Sequence, residues 1–484
     1  MSFQDILGQL PLLKSYSHIL LCFSLPDSQR EPGLVALRFA TKRLLKAFPF
    51  LAGNVVHTGV QPGHSGTFTV EDFTPDSEPS TEKLAQVLQI NNLSSILPPY
   101  NVLAAARAPQ SMLPGNQIAP RRPAFPRTYT ETSAPVLECQ VTLIQGGLLL
   151  TLAAQHNIID ATGMMYIASV LSLFMNGHPG PVPKKDLVMG NCDRRHLIPI
   201  LAQDEPLPED MGVFTQPPPL RLSLDELGEY RWYLLHFPAE SLRAIHEEGH
   251  RIPKEFAEGV KSVSVNDTLS AWIWQRLTTV RSALFKSSPT SAGSEGLEGK
   301  EQTTQLTRAA DLRRPLSLPP SYMGHMVRTA NLRLPISTVT TSSLSYLSSL
   351  LRTCVKAHTT PESITAYATL IHRTPDKSKI LYAAGFHPTW DLSCSSLAHF
   401  SLPRFGGLLG KLEFMRRPNF GPLPSGMYII EGVDRGESSG GKGAEAMVCL
   451  RGVEMEGLMR DQGWRRFVEV FDMGEREGLK AKLA

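Results

Sequence analysis

The sequence predicts a mixed α/β protein with room for two domains, and three observations carry that expectation. The chain has 484 residues, 42% of them hydrophobic, so it can bury a large core and has length for about two to three domains. Short apolar runs of strand length alternate with longer segments of helical period. A stretch from Pro206 to Pro219, with a PPP run, has the composition of an extended linker. We place the boundary there, with an N-terminal half over 1–205, a proline-rich crossover over 206–225 and a C-terminal half over 226–484.

Taken in order, HILLCFS (His18 to Ser24) reads as a strand. Gly33 to Phe48 carries Leu34, Leu37, Ala40, Leu44, Leu45 and Phe48 at helical spacing before the turn PFLAGN, and Thr67 to Phe73 reads as a second strand. Pro98 to Pro126 is rich in breakers and predicts a long surface loop. Val136 to Ile144 and Gly147 to Ala154, joined by Gln145-Gly146, predict a hairpin that delivers His156. Asp160 opens a helical pattern through Met164, Ile167, Leu171 and Phe174, which stops at Asn176-Gly177. In the second half, Tyr230 to Phe237 predicts a strand. Ser264 to Arg281 predicts a helix capped by Asn266 or Asp267 that buries Leu269, Trp272, Ile273 and Leu277. Ser287 to Gln302 has the Ser/Gly/Glu-rich composition of a disordered surface loop.

Charge and cysteine usage narrow the function classes. Lys plus Arg number 48 against 45 Asp plus Glu, a formal charge of +3 spread along the chain, so no nucleic-acid partner is expected and partners should be small or neutral. The six cysteines never form a C-x-x-C pair, which speaks against a zinc ribbon or a disulfide framework. The N-terminus lacks a basic region followed by an apolar core, and no run approaches the roughly 18 apolar residues of a membrane span. A cytoplasmic protein is the resulting expectation.

The segment LLLTLAAQHNIIDATGMM, Leu148 to Met165, carries the chemistry. His156 and Asp160 stand in an H-x-x-x-D arrangement where an apolar strand exits into a loop and a helix. Such a site can present a general base to a cleft, and imidazole has the proton affinity for that work near neutrality. On spacing alone, a core histidine beside an aspartate N-cap is the competing reading. Two further matches lead nowhere. His246-Glu247-Glu248-Gly249-His250 fits H-E-x-x-H, yet its neighbours are polar or helix-weakening and no third ligand follows, so a solvated helix end explains it and no metal is expected. Gly441, Gly443 and Ala446 echo a dinucleotide fingerprint but lie between two strand-like runs, the context of a hairpin loop. A G-x-S-x-G elbow and a P-loop are both lacking.

Several co-linear segments resemble the BAHD-like acyltransferase superfamily, in particular its fungal branch containing the trichothecene O-acetyltransferases. QHNIIDATG is similar to the family's H-x-x-x-D-G motif, with Ala161 at the usual glycine. AFPFLAGNVV, SVNDTLSAWIWQRL, AADLRRPL and SYMGHMV resemble four further family segments, the last with His325 at the usual asparagine. PRFGGLLGKLEFMRRP takes the place of a D-F-G-x-G motif, with Arg404 at the usual aspartate.

The resemblance implies two α/β domains of chloramphenicol-acetyltransferase type with a solvent channel at their interface, entered by acyl-CoA from one face and the acceptor from the other. It implies a CoA-dependent O-acyltransferase that uses acyl-CoA, acetyl-CoA by preference, as co-substrate, binds no resident cofactor and works as a monomer. The acceptor is expected to be a hydroxyl of an apolar secondary metabolite. His156 becomes the catalytic base, and Asp160 a structural residue paired with Arg313. Lys411, Arg416 and Arg417 are expected near CoA phosphates, with a solvated basic loop as the alternative. Thr389 and Trp390 are expected to line the channel. Two rival readings are a condensation-type enzyme using carrier-protein thioesters, disfavoured by Gln155 at the first histidine of its motif, and a catalytically silent binding protein, suggested by Arg404, Ala161 and His325.

Overall fold

The computed structural model describes residues 2–74, 78–120, 131–177, 180–215, 228–286, 302–432 and 442–472. The later part of the expected linker, residues 216–225, lies outside these, as do most of the Ser/Gly/Glu-rich stretch and Gly441.

Two large sheets organise the chain. The first holds five strands in the order Lys411–Arg416, Tyr16–Ser24, Gly147–Gln155, Leu137–Ile144 and Leu88–Asn92. The expected hairpin is its centre: every residue of Leu137–Ile144 and Gly147–Gln155 is buried, so Gly147–Gln155 reads as a nearly continuous apolar run, while Leu137–Ile144 alternates and buries Glu138, Gln140 and Thr142. Its two-residue turn places Gly146 at φ 72°, a left-handed conformation that glycine adopts without strain. Helices Arg30–Ala47 and Ala161–Met175 cover one face through Leu37, Leu44, Met164 and Leu171 against Phe23 and Leu150. The second helix ends before Gly177, at φ 69°, where the sequence placed its stop.

The opposite face of this sheet corrects one expectation. Within the described part of Pro98 to Pro126, Tyr100–Ala105 and Gly115–Ile118 are helices. Tyr100, Leu103, Leu113 and Ile118 bury against Leu20, Cys22 and Leu149. Helices of four to six residues between breakers are too short to show a period, so this second cover was hidden in the sequence.

The second sheet holds seven strands in the order Val327–Pro335, Thr303–Asp311, Leu392–Ser396, Gly426–Glu431, Ala444–Arg451, Tyr230–Phe237 and Glu469–Val470. Helix Val265–Lys286 lies on it, with Trp272, Ile273 and Leu277 in the core. Its cap is Ser264 rather than Asn266 or Asp267: the Asp267 N–H donates to the Ser264 hydroxyl (3.2 Å) and the Ser264 N–H to the Asp267 carboxylate (2.8 Å), a reciprocal capping box. A third, small sheet joins His64–Glu71, Asn54–Gln61 and Ser133–Pro135.

The halves are not sequential blocks. Strand Lys411–Arg416 comes from the C-terminal half yet completes the first sheet, pairing antiparallel with Tyr16–Ser24 (Leu20 opposite Arg416, Ser24 opposite Lys411). A buried charge cluster secures the crossing. Glu445, in the second sheet, ion-pairs with Arg416 at 2.8 Å and accepts hydrogen bonds from Arg107 at 2.5 and 3.2 Å. Arg416 also donates to the carbonyls of Arg107 and Ala108 at 2.7 and 3.0 Å. Burial works to raise the Glu445 carboxyl, but Arg416 and Arg107 outweigh it and hold the group below its ordinary range. Replacing Glu445 with Ala strands two buried guanidinium groups. We expect a loss of about 3–5 kcal/mol, read as a fall in the denaturant midpoint; a midpoint equal to wild type contradicts a structural role for the cluster.

Candidate active site

His156 is placed by the end of the central hairpin. Strand Gly147–Gln155 runs antiparallel to Tyr16–Ser24, and one residue beyond it the His156 N–H donates to the Ser15 carbonyl at 2.8 Å. The chain then turns, with the Ile158 and Ile159 N–H groups both bonded to the Gln155 carbonyl at 3.0 and 2.9 Å. Within this turn the Asn157 amide donates to the carbonyls of Gly8 and Leu10 at 2.5 and 3.2 Å, tying it to the N-terminal segment. Asp160 ends the turn as N-cap of the next helix, accepting from the Gly163 N–H at 2.9 Å.

The Asp160 carboxylate faces the C-terminal half. Arg313 approaches it two-pronged, one guanidinium nitrogen 2.8 Å from each oxygen, and the Met326 N–H donates at 2.9 Å. Arg313 is further held by the carbonyls of Tyr322 and Gly324, each at 2.8 Å. Both side chains are almost wholly buried. Burial by itself raises the Asp160 carboxyl, but Arg313 and the N–H donors prevail and hold it below the ordinary carboxylate range.

His156 opens on a cavity of about 370 Å³ between the two sheets. From the first half come Ser15, Ser17, His18 and Met164; from the second come Thr307, Thr329 and Tyr382. The rest of the lining is mainly aliphatic and aromatic, the usual character of a small-molecule site. Burial pushes the His156 imidazole below its ordinary value, and the Arg417 charge adds to this against the pull of Asp160, so the ring is neutral at pH 7. Its Nδ1 has no hydrogen-bond partner in another residue. His325, at the position where the family's asparagine was expected, sets its ring 5.0 Å from that of His156 at 59°. Burial and the neighbouring His156 push His325 down to about 3, so it too is neutral.

The other residues singled out in the sequence are more dispersed. Lys411 projects into solvent from the edge strand, 3.9 Å from Glu413. Arg416 spends its guanidinium on Glu445, which speaks against the phosphate contact expected of it. Arg417 does reach the cavity, its guanidinium 4.1 Å above the Tyr428 ring. Thr389 and Trp390 are buried in the second half and do not line this cavity; the Trp390 ring meets Phe285 edge-on at 5.7 Å. Arg404 is exposed, while its carbonyl accepts from the Asn176 amide and Phe405 packs edge-on against Phe23 at 5.1 Å. That segment is a clamp on the first half. In the H-E-x-x-H match, His250 directs Nδ1 to the His246 carbonyl (3.0 Å) and accepts at Nε2 from the Val263 N–H (3.4 Å). Among the described residues no group of three or more His, Cys, Asp or Glu is arranged to hold a metal.

Sequence reasoning passed over His18, Thr307, Thr329 and Tyr382. His18 had a signal, as the one histidine inside an apolar strand; the others lie on segments of the second half brought to the cavity by the fold.

Comparison with known proteins now bears on this geometry. Residues 15–174 match the trichothecene 3-O-acetyltransferase-like N-terminal domain. Over 477 residues the chain is 34% identical to an O-acyltransferase, pigD, of Monascus ruber, covering 96% of this chain and 98% of that protein. The chain belongs to the trichothecene 3-O-acetyltransferase-like family. It is an O-acyltransferase. A trichothecene 3-O-acetyltransferase of Fusarium sporotrichioides is 29% identical, with 96% of each chain covered. The crystal structure of that species' enzyme, complexed with coenzyme A and T-2, matches with a TM-score of 0.82 at 26% identity, covering 97% of this chain and all of the other. The two-domain fold of chloramphenicol-acetyltransferase type expected from the family segments is thus the fold of this chain.

A pH prediction follows for Asp160. Its folded value is depressed, so its stabilisation is present above the unfolded value of about 3.9 and is lost as pH falls through the lower folded value. Asp160→Ala leaves the buried Arg313 with only the part-exposed Asp311 carboxylate at 3.1 Å, and should cost at the lower end of about 3–5 kcal/mol at neutral pH with a smaller deficit in acid. Unfolding curves at neutral and acidic pH check this; a deficit that grows on acidification contradicts it.

Proposed function

We propose that the chain transfers an acyl group, by preference acetyl, from acyl-CoA to a hydroxyl of an apolar secondary metabolite, with His156 as general base. The observation that carries this reading is a neutral imidazole opening on an apolar cavity between the two halves, while the aspartate of its motif is committed to Arg313. The related crystal structures contain coenzyme A together with T-2 in one case and deoxynivalenol in another, which supports a site that admits a CoA thioester and a hydroxylated acceptor together.

The chemistry follows from these residues. An alcohol is a weak nucleophile at neutral pH, and a base within hydrogen-bond reach removes its proton as the C–O bond forms. A ring nitrogen of His156 takes that proton, the acceptor oxygen adds to the thioester carbonyl, and the tetrahedral adduct expels the CoA thiolate. The thiolate then recovers the proton from His156, which returns neutral. No acyl-enzyme is required. Asp160 takes no part in proton transfer: held by Arg313 and two N–H donors, it fixes the turn on which His156 stands. The apolar lining suits an apolar acceptor and limits competing attack by water. The cavity is read as the middle of a channel open to donor and acceptor from opposite faces.

The protein is read as a cytoplasmic monomer. Its six free cysteines agree with a reducing compartment, and no helix among the described residues is long and apolar enough to cross a membrane.

With acetyl-CoA and a panel of apolar alcohols, the purified protein should release free CoA. His156→Ala should lower kcat/KM by about 10²–10⁴ without weakening CoA binding. Full turnover by this variant would end the assignment of the base. Because the base must be deprotonated and its proton affinity is depressed, kcat/KM should be flat above neutrality and fall on the acid side with a midpoint below about 6.5. A midpoint above that value counts against His156.

A further inference from the structure

The described lining of the reaction cavity includes no aspartate or glutamate, yet it includes two guanidinium groups, Arg416 and Arg417. Arg417 follows the crossing strand directly, and its guanidinium lies over the ring of Tyr428, which in turn packs 5.9 Å from the Trp232 ring. Its neighbour Arg416 is neutralised by Glu445; among the described residues, Arg417 has no carboxylate partner. A half-buried guanidinium beside apolar walls is costly to leave without an anion, and a ring face offsets only part of that cost.

A second observation points the same way. His18 lines the same cavity, is 1% exposed, and makes no well-formed hydrogen bond at either ring nitrogen, although the Tyr16 backbone lies close enough to pull its proton affinity upward. Phe420 packs against its ring at 4.7 Å. Burial, and then the Arg417 charge, push it down to about 3, so it stays neutral and keeps one donor and one acceptor at neutral pH. A buried polar ring without a well-formed hydrogen bond is a site that can take a ligand group.

We propose that Arg417 and His18 form the acceptor-recognition subsite and bind an anionic oxygen of the acyl acceptor, a carboxylate or an ionised enol, while His156 takes its hydroxyl proton. This rests on His156 being the base of acyl transfer. The phosphates of CoA are the alternative anion, and their place argues against them. The long pantetheine arm separates them from the thioester, which must lie beside His156, whereas the Arg417 charge is near enough to depress the His156 ring. The arrangement has a catalytic consequence. An anion seated on Arg417 offsets that guanidinium's share of the depression of His156, a smaller share than that of burial.

The test uses the full-length protein and two probes, a hydroxynaphthoate and its methyl ester, with binding followed by tryptophan fluorescence. The acid should bind about tenfold to a hundredfold more tightly than the ester, the scale of a charge-assisted hydrogen bond. Arg417→Gln should erase that preference and leave acetyl-CoA affinity unchanged, while Arg417→Lys should retain part of it. His18→Phe should weaken the acid and spare the ester. Equal or unmeasurable affinity of wild-type protein for acid and ester overturns the proposal, and wild-type protein alone suffices for that outcome should a variant fail to fold. It is equally overturned if Arg417→Gln keeps the preference, or if it loses affinity for acetyl-CoA rather than for the acid. CoA release with neutral alcohols leaves acyl transfer standing after such a failure. No release with any alcohol, despite a clear acid preference, instead sinks acyl transfer.

Discussion

The contact between Asp160 and Arg313 is the constraint on which the site depends. It joins the helix start behind His156 to the second sheet's segment after Asp311, through two guanidinium–carboxylate contacts of 2.8 Å in a region closed to water. Burying two charges carries a desolvation cost that attraction alone scarcely offsets. What makes this pair tolerable is its complete set of partners: Gly163 and Met326 for the carboxylate, Tyr322 and Gly324 for the guanidinium. Such a set is satisfied in one arrangement of the halves and in no nearby one. The pair therefore acts less as a source of stability than as a register mark, placing His156 opposite Thr307, Thr329 and Tyr382.

The charges of the interface are sorted by task. Those that hold the halves together, Asp160 with Arg313 and Glu445 with Arg107 and Arg416, are paired, and of these residues Arg416 alone also borders the cavity. The others facing the cavity are imidazoles kept neutral by burial, together with Arg417, which has no carboxylate partner among the described residues. A histidine flanked by a carboxylate aimed into the same space would be a stronger base but would also be protonated more readily near neutrality. By drawing Asp160 away, the fold keeps the ring free to accept a proton. Arg404 bears little on this chemistry. Its side chain lies in solvent, and its segment serves the fold through a carbonyl and through Phe405.

Local periodicity determined much of the protein. The buried hairpin, helices Arg30–Ala47 and Ala161–Met175, the glycine stop after the latter and the long helix of the second half all follow from apolar spacing and turn residues, because these depend on neighbours within a few positions. His156 was visible for the same reason, as the first polar exit from an apolar strand. Its pairing of Asp160 with Arg313 came through family resemblance, since 153 residues separate the partners and no spacing rule spans them.

Tertiary structure decided the rest. Arg416 and Arg417 are adjacent in a basic run and look interchangeable there, yet successive residues leave an extended chain in opposite directions. Both border the cavity, yet one is tied to Glu445 in the dry interior and the other lies over the Tyr428 ring, an outcome set by which sheet the strand joins. That the strand crosses back to the first half at all rests on contacts far apart in the chain. Thr389 and Trp390 resembled a channel-lining pair but are buried outside the cavity lining, with the Trp390 ring against Phe285 and its carbonyl accepting from the Thr304 hydroxyl. The sequence by itself thus determined the elements and placed His156 at a strand exit, through short-range patterning. Which charges meet, and which are left facing the substrate, required the fold, because charge pairing is a property of distance in space.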